Sequence, residues 1–241
     1  MEQNKQNLRS IELRKSHIVE FRRCPYRLKL WLEGHEKYKS AAMIQGTRFH
    51  DLAERFYDEI DMATVEECTD YRELREYFTS LIPLFPKFAD FEARRWFTYK
   101  KLGNTEEWKP KLREFELKTH TVHSKFVLVG HIDRFDTFLG KGIIYEYKPT
   151  VASYVKFELG YYYLLFNAIQ PYGYKATHVA VFGYKTGDFK VWKPSPHTIN
   201  AVYRTLNRIW HAMETNEWEK KEYACTFCDF LDVCKGGEID V

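Results

Sequence analysis

Two neighbouring apolar stretches constrain the fold of this chain more than any other feature. The stretches, residues 127–136 and 143–149, are rich in Val, Ile, Tyr and Phe, a composition that predicts two buried β-strands. The segment between them, Thr-Phe-Leu-Gly-Lys-Gly, contains the glycines that the turn of a hairpin requires. The pattern therefore predicts a buried β-hairpin.

Three charged residues lie within this apolar hairpin. Glu146 and Lys148 are two residues apart, so both side chains leave the same face of the strand, and strand pairing can bring Asp133 next to them. Buried charges are unfavourable unless they are paired or bound to a metal ion. The three residues therefore form either an ion-pair network or a metal site with a lysine beside the reactive water.

The bulk composition is that of a globular protein. The chain has 241 residues, of which 44% are hydrophobic, and this allows one large domain with a sizeable core. We expect a single domain over residues 1–241 with a helical insertion at about 61–105. No segment has the ~18 consecutive apolar residues of a membrane helix, and the polar N-terminus lacks the apolar core of a signal peptide. We therefore expect a cytoplasmic protein without a membrane partner.

Apolar periodicity predicts alternating helices and strands. Ser16 is the expected N-cap of a short helix, and Ser195 that of a longer helix extending to about Trp218. The other predicted elements are helices at 41–60 and 154–169 and strands at 111–120, 177–184 and 189–193. This order indicates an α/β fold in which helices flank a mixed β-sheet.

The charged residues of the hairpin also suit phosphodiester hydrolysis by a divalent metal ion. Such a reaction needs oxygen or imidazole ligands in an incomplete coordination shell, whose open positions hold water and a phosphate oxygen. Asp133, Glu146, the backbone carbonyl of Tyr147 and the imidazole of His50 are the candidate ligands. Lys148 would lower the pKa of the attacking water or stabilise the developing negative charge. Taken singly, a Glu-x-Lys strand or a helical histidine is more often structural.

The order of these residues resembles the PD-(D/E)XK nuclease superfamily and, within it, the RecB-like branch. Residues 46–50 resemble the histidine motif of that branch, residues 130–133 its aspartate motif, and residues 146–148 its Glu-x-Lys motif. Residues 158–162 match the position of a Gln-x-x-x-Tyr motif, but Glu158 stands where Gln is usual. The resemblance implies a restriction-endonuclease-like fold and a nuclease site that binds Mg²⁺ or Mn²⁺.

Candidate contacts to DNA follow from the same resemblance. It implies that Tyr162 contacts DNA, whereas a carboxylate at Glu158 would either add a metal ligand or repel a phosphate. Arg22, Arg23 and Arg48 lie near the predicted motifs and could bind phosphates. The alternative is that Tyr162 is a core residue and the arginines form a solvated face. The net charge of only +3 neither requires nor excludes a nucleic-acid partner.

The cysteines indicate a second metal site. Cys225, Cys228 and Cys234 have metal-ligand spacing, and Cys24 is the natural fourth ligand. Spacing alone suits zinc and an iron–sulfur cluster equally well. The arrangement resembles the CRISPR-associated Cas-four nuclease family, which implies a 4Fe-4S cluster, or less commonly 2Fe-2S, joining the two ends of the chain. Cys68 has no partner in this scheme.

The function implied by the resemblance is that of a metal-dependent DNA exonuclease acting on single strands or DNA ends. The expected setting is CRISPR spacer acquisition beside the Cas integrase proteins. Two alternatives remain open. One is an iron–sulfur nuclease of a repair, viral or plasmid system, and the other is a catalytically inert DNA-binding module of the same fold.

Overall fold

The computed structural model describes residues 11–35 and 40–235. Within these ranges, no helix has both the length and the apolar character needed to cross a membrane. The strands are β1 (Ile11–Arg14), β2 (Leu112–Thr119), β3 (Phe126–Phe138), β4 (Lys141–Lys148), β5 (His178–Gly183) and β6 (Phe189–Trp192). The α-helices are α1 (Lys15–Arg23), α2 (Pro25–Leu32), α3 (Ala41–Glu59), α4 (Met62–Glu67), α5 (Tyr71–Leu81), α6 (Pro86–Lys101), α7 (Val155–Ile169), α8 (Pro196–Thr215) and α9 (Leu231–Cys234).

The long strand β3 organises a mixed sheet. Strand β2 pairs antiparallel along one edge of β3, whereas the other edge is shared by β1, which is parallel, and β4, which is antiparallel. β1 ends at Arg14 opposite Val129, and the β4 pairing ends at Tyr145 opposite Arg134. The carboxyl ends of β1 and β4 therefore approach the same short part of β3, residues 130–133, from opposite directions.

Helices cover both faces of the sheet. On one face, α1, α7 and α8 pack on apolar residues that include Leu128 and Ile144. On the other face, α3 to α6 form an aromatic layer against Ile143 and Tyr145. Because side chains alternate along a strand, Glu146 faces the α7 layer with Ile144, whereas Tyr147 faces the aromatic layer. This arrangement confirms the predicted mixed sheet flanked by helices.

Most predicted elements are present, with shifted ends. The expected N-cap at Ser195 is confirmed, because its hydroxyl accepts a hydrogen bond from the Thr198 amide, 3.2 Å away. That helix ends at Thr215, earlier than predicted, because Asn216 adopts a left-handed φ of 55°. The N-cap predicted at Ser16 is wrong, since α1 already begins at the preceding residue.

Two features of the fold go beyond the predicted elements. Strand β1 was not expected from its four residues, which have no partner nearby in the sequence. The region expected as a helical insertion contains α4, α5 and α6, which pack in the aromatic layer with α3. The assignment of residues 1–241 to one domain with an insertion stays a prediction.

The first and last described segments of the chain contact each other. The amide of Tyr26 donates to the carbonyl of Glu219 at 3.1 Å, and Arg27 lies 3.3 Å from the carboxylate of Asp229. These contacts bring the first turn of α2 against the segment that leads into α9. They place the N-terminal cysteine motif beside the C-terminal one.

Candidate active site

Glu146, near the end of β4, is the most deeply buried acidic residue of the predicted motif, with 2% of its surface exposed. Its Oε1 atom lies 2.7 Å from Nζ of Lys148 and 2.6 Å from Nζ of Lys15. Burial alone would raise the pKa of Glu146, but the two ammonium groups lower it to about 2. The other oxygen, Oε2, is buried and has no hydrogen-bond partner among the described residues. A buried carboxylate oxygen without a partner is rare and calls for an explanation.

A second carboxylate completes an alternating arrangement of charges around Glu146. Glu158, in the first turn of α7, places Oε2 2.9 Å from Lys148 and 3.4 Å from Lys15. We call these four residues (Lys15, Glu146, Lys148 and Glu158) the charge ring. Burial lowers the pKa of each lysine, but the carboxylates outweigh it and hold both pKa values well above their usual range. Both lysines are therefore protonated at neutral pH.

Next to the charge ring lies a cluster of two carboxylates and an imidazole. Nδ1 of His50 is 3.0 Å from Oε1 of Glu114 and 3.4 Å from Oδ1 of Asp133. Ligand atoms of these three residues lie within 4.8 Å of one another, and no other such group of possible ligands occurs in residues 11–35 and 40–235. The second oxygen of Glu114 is 3.0 Å from Nδ1 of His131. The amide of Tyr147 donates to Oδ2 of Asp133.

A local break in the sheet positions the two carboxylates of this cluster. The register of β2 and β3 is constant from Leu112 opposite Phe135 onwards, but the pair formed by Glu114 and Asp133 is skipped. Glu114 has a φ of 41°, a left-handed conformation that is uncommon for residues other than glycine. Such backbone strain is concentrated at functional sites. The break allows both side chains to meet His50.

The pKa values of Asp133 and His50 are both raised, as expected where negative charges lie close together. Burial and the nearby charge of Glu146 raise the pKa of Asp133 to about 7. Although burial lowers the pKa of His50, Asp133 and Glu114 raise it to about 9. Carboxylates that are forced together in this way form, with the imidazole, a donor set of oxygen and nitrogen that suits Mg²⁺ or Mn²⁺. Glu146 lies beside this group and is not one of the three residues whose ligand atoms are within 4.8 Å of one another.

The structure brings the predicted catalytic residues to one place and adds two residues that the sequence reasoning missed. Asp133, Glu146, Lys148 and His50 converge, as expected from the paired strands. Lys15 was missed because it belongs to no motif, and Glu114 because its strand was expected to be regular. The role of the Tyr147 carbonyl as a ligand stays a prediction.

Of the residues predicted to contact DNA, two are buried and three lie at the surface or line a surface groove. Tyr162 is only 3% exposed, and Nζ of Lys15 lies 4.9 Å from its ring centroid. Glu158 is also buried, so neither side chain is open to a DNA strand in this structure, and the contact expected of them lacks support. Arg22 and Arg23 line a surface groove of about 450 Å³ that reaches Glu158. Arg48 is exposed on α3.

Four cysteines meet where the ends of the chain join. Cys24, Cys225, Cys228 and Cys234 line one cavity of about 240 Å³, and none of them is in a disulfide. The backbone amide of Lys221 donates to Sγ of Cys24 at 3.4 Å. In the described part of the chain, no three of these sulfurs lie within 4.8 Å of one another. The cavity thus holds the predicted cluster ligands at a wider spacing than that of the His50 group.

Cys68 lies apart from this cavity. Its side chain is buried in the aromatic layer formed by α3 to α6. Burial raises the pKa of its thiol, which is the behaviour of an inert core cysteine.

Comparison with known proteins identifies the family. The sequence profile of the PD-(D/E)XK nuclease superfamily matches residues 15–235, so the chain belongs to this superfamily. This confirms the superfamily and a fold consistent with the restriction-endonuclease-like type. Membership supports nuclease and hydrolase function, with DNA as the substrate that the family implies. A search of curated proteins finds no match.

Several solved structures are similar to the chain, among them the following two. One is a protein of Eubacterium rectale that is provisionally named an exonuclease, with a TM-score of 0.52 and 13% identity over 99% of this chain and 94% of the other. The second is SSO0001, with a TM-score of 0.44 and 14% identity over 94% of this chain and 86% of the other. At this identity, the first comparison supports the fold alone.

Proposed function

We propose that the protein is a divalent-metal-dependent DNA nuclease. Its Mg²⁺ or Mn²⁺ would be held by His50, Asp133 and Glu146, with the carbonyl of Tyr147 as a further ligand. The observation that carries the proposal is the Oε2 atom of Glu146, which is buried and unpartnered among the described residues. A metal ion would supply that partner. Glu114 either joins the ligands or holds His50 through its 3.0 Å contact.

The residues of the site have distinct roles in this proposal. A bound metal ion supplies an activated water and neutralises the phosphate. Lys148 keeps its proton, because the carboxylates raise its pKa. It therefore stabilises negative charge near the attacking water and does not accept the proton of that water. Asp133, fixed by the Tyr147 amide, orients one ligand oxygen.

We further propose that the substrate is single-stranded DNA or a DNA end, degraded as by an exonuclease. The groove next to Glu158 supports this, because it combines Arg22 and Arg23 with the exposed rings of Tyr154 and Tyr223. Cationic side chains bind phosphates, and exposed aromatic rings stack on unpaired bases. The provisional exonuclease name of the Eubacterium rectale protein agrees with this proposal.

We also propose that Cys24, Cys225, Cys228 and Cys234 hold an iron–sulfur cluster, of the 4Fe-4S type by resemblance. Their shared cavity supports a common ligand. A tetrahedral zinc site with Zn–S bonds of about 2.3 Å would bring the sulfurs to about 3.8 Å from one another. Iron and zinc analysis of the purified protein distinguishes the cluster from such a zinc site.

The cellular setting proposed by resemblance is CRISPR spacer acquisition with Cas integrase proteins, inside the cytoplasm. A repair, viral or plasmid nuclease is the alternative. The order of neighbouring genes separates these two settings.

The function is tested by comparing the wild type with Glu146→Ala on labelled single- and double-stranded DNA, with Mg²⁺, Mn²⁺ or EDTA. Loss of a central ligand should lower the cleavage rate by more than about 100-fold. Glu116→Ala is the matched control, because this carboxylate is exposed on β2 and should leave activity unchanged. Equal cleavage by the wild type and Glu146→Ala in EDTA would overturn the proposal. No cleavage by the wild type with either metal ion would leave an inert DNA-binding module as the alternative.

A further inference from the structure

The charge ring contains one pair of residues that lies outside the Asp and Glu-x-Lys motifs. Lys15 follows β1 directly and reaches the gap between β1 and β4, where its Nζ is 2.6 Å from Oε1 of Glu146. Glu158 comes from α7 and contacts both lysines. The position of Lys15 is set by the parallel pairing of β1 with β3.

The charge ring has no net charge, and this balance depends on Lys15 and Glu158. Glu146 and Glu158 each contribute one negative charge, and both are almost fully buried. Lys148 alone would leave one of them uncompensated, which is unfavourable in a buried site. With Lys15 present, each carboxylate has an ammonium group on either side.

The same geometry determines which oxygen of Glu146 is left for a ligand. Lys15 and Lys148 both contact Oε1, at 2.6 and 2.7 Å. Oε2 therefore stays without a partner among the described residues. The two ammonium groups fix the carboxylate with this oxygen directed away from the ring.

We propose that Lys15 is a further positioning residue of the nuclease site, and that it acts as a unit with Glu158. Lys15 fixes Oε1 of Glu146 together with Lys148, and Glu158 holds the two ammonium groups in place. This inference rests on the proposed metal-dependent function, because the free Oε2 atom is assigned to the metal ion.

The proposal predicts opposite effects of the two single substitutions on metal affinity. Lys15→Met makes the ring one charge more negative and should lower the Kd for Mn²⁺ roughly tenfold. Glu158→Gln makes it one charge more positive and should raise that Kd roughly tenfold. A unit charge at roughly 6 Å from a divalent ion has about this effect even at the dielectric constant of water. The double variant restores neutrality and should bind Mn²⁺ like the wild type.

Catalysis should respond differently from metal affinity. In Lys15→Met, Lys148 is shared by the carboxylates of Glu146 and Glu158 and shifts from its position. The value of kcat should therefore fall roughly tenfold or more, while KM changes little. The double variant should recover most of this loss, and Lys15→Arg, which keeps the charge, should recover part of it. A merely structural role of Lys15 would weaken Mn²⁺ binding in both single variants.

The experiment measures Mn²⁺ binding by electron paramagnetic resonance on EDTA-treated full-length protein, with Glu146→Ala to identify the specific site. Steady-state cleavage of a labelled DNA strand, with the strand in excess, gives kcat and KM. Opposite shifts that cancel in the double variant support the proposal. Additive weakening in the single and double variants overturns it.

The failure of the proposed function would be recognised separately. In that case the wild type neither cleaves DNA nor binds Mn²⁺ in a way that depends on Glu146. The ring is then tested by thermal unfolding in EDTA, where coupled residues predict that the double variant loses less stability than the two single variants together. Simple additivity there would overturn the coupling of Lys15 and Glu158.

Discussion

At the scale of single residues, His50 links the metal site to pH. Burial would lower its pKa, but Asp133 and Glu114 raise it from 6.5 to about 9, so the metal-free protein carries a protonated His50 at neutral pH. A metal ion binds only the neutral imidazole and must displace this proton. Apparent metal affinity should therefore rise with pH up to about 9, by roughly tenfold for each pH unit.

Calorimetric titration with Mg²⁺ between pH 7 and 8.5 measures this slope, together with the protons released in buffers of different ionisation enthalpy. His50→Gln keeps a polar group of similar size but has no proton to lose. Its affinity should be weaker and nearly independent of pH above about 8, where Asp133, with a pKa of about 7, has largely lost its own proton. A wild-type affinity that does not change over this range would show that His50 is not a ligand.

The residue scale also shows what the sequence could reveal about the site. Asp133, Glu146 and Lys148 could be predicted because a single hairpin brings them together, and local pairing follows from local pattern. His50 could be added only through the order of the motifs. Lys15 could not be predicted, since its approach depends on β1 pairing with residues more than 100 positions away, at Phe126 to Val129.

At the scale of elements, β2 and β3 each switch the set of residues, odd- or even-numbered, that faces the α7 side of the sheet. Both strands make this switch at the same point of their pairing. In β3, Leu128 and Ile132 pack with α7, but beyond Asp133 it is Phe135 that does so. In β2, Leu117 and Leu112 share this side although they are an odd number of residues apart. An unbroken strand places residues at even spacing on one face. The switch is visible in the sequence and marks the break at which Glu114 and Asp133 turn toward His50.

Two glycines near the site differ in what a side chain would meet. A Cβ atom at Gly130 would lie 2.9 Å from Cε1 of Tyr162 and 3.1 Å from Cδ2 of Leu165, so β3 and α7 are in close contact there. At Gly46, on α3, the nearest atom would be the hydroxyl oxygen of Tyr184 at 3.9 Å. The close packing of β3 against α7 therefore requires a glycine at position 130. At position 46, the surrounding residues leave enough space for a Cβ atom.

This contrast predicts opposite effects of two alanine substitutions. Gly130→Ala should lower the free energy of unfolding by about 1–3 kcal/mol, because it forces Tyr162 and the ring lysine Lys15 to move. Gly46→Ala should raise it by up to about 1 kcal/mol, because alanine favours a helix interior. Urea unfolding measures both values. A stable Gly130→Ala variant with normal activity would show that the contact of β3 with α7 is not tight.

At the scale of the whole molecule, the site depends on segments from both ends of the chain. Strand β1 delivers Lys15, α1 follows it directly, and α2 begins just after Cys24. The amide of Lys221, about 200 residues further on, donates to the sulfur of Cys24. A ligand held by the four cysteines would therefore fix the segment that leads back to the charge ring. Because about 200 residues separate the two cysteine motifs, the sequence pattern identified the cysteines but could not show how the chain folds between them.

Removing one cysteine of this group should have effects on the whole molecule. Cys24→Ser should lose the cluster, with iron falling from about four atoms per chain to near zero. In the chain-entropy account, opening so long a loop costs about 5 kcal/mol, or roughly 10–20 °C in melting temperature. Cys68→Ala is the matched control, because its sulfur lies in the aromatic layer, and it should keep its iron.

Anaerobic purification, iron and zinc analysis and thermal unfolding of the three proteins test this prediction. The wild type and Cys68→Ala should be brown, and Cys24→Ser colourless with a lower kcat at the distant site, because α1 and Lys15 lose their anchor. Stoichiometric zinc in the wild type would contradict the iron–sulfur proposal. A normal kcat and melting temperature in Cys24→Ser would show instead that β1 pairing alone, from Ile11 to Arg14, holds Lys15 in place.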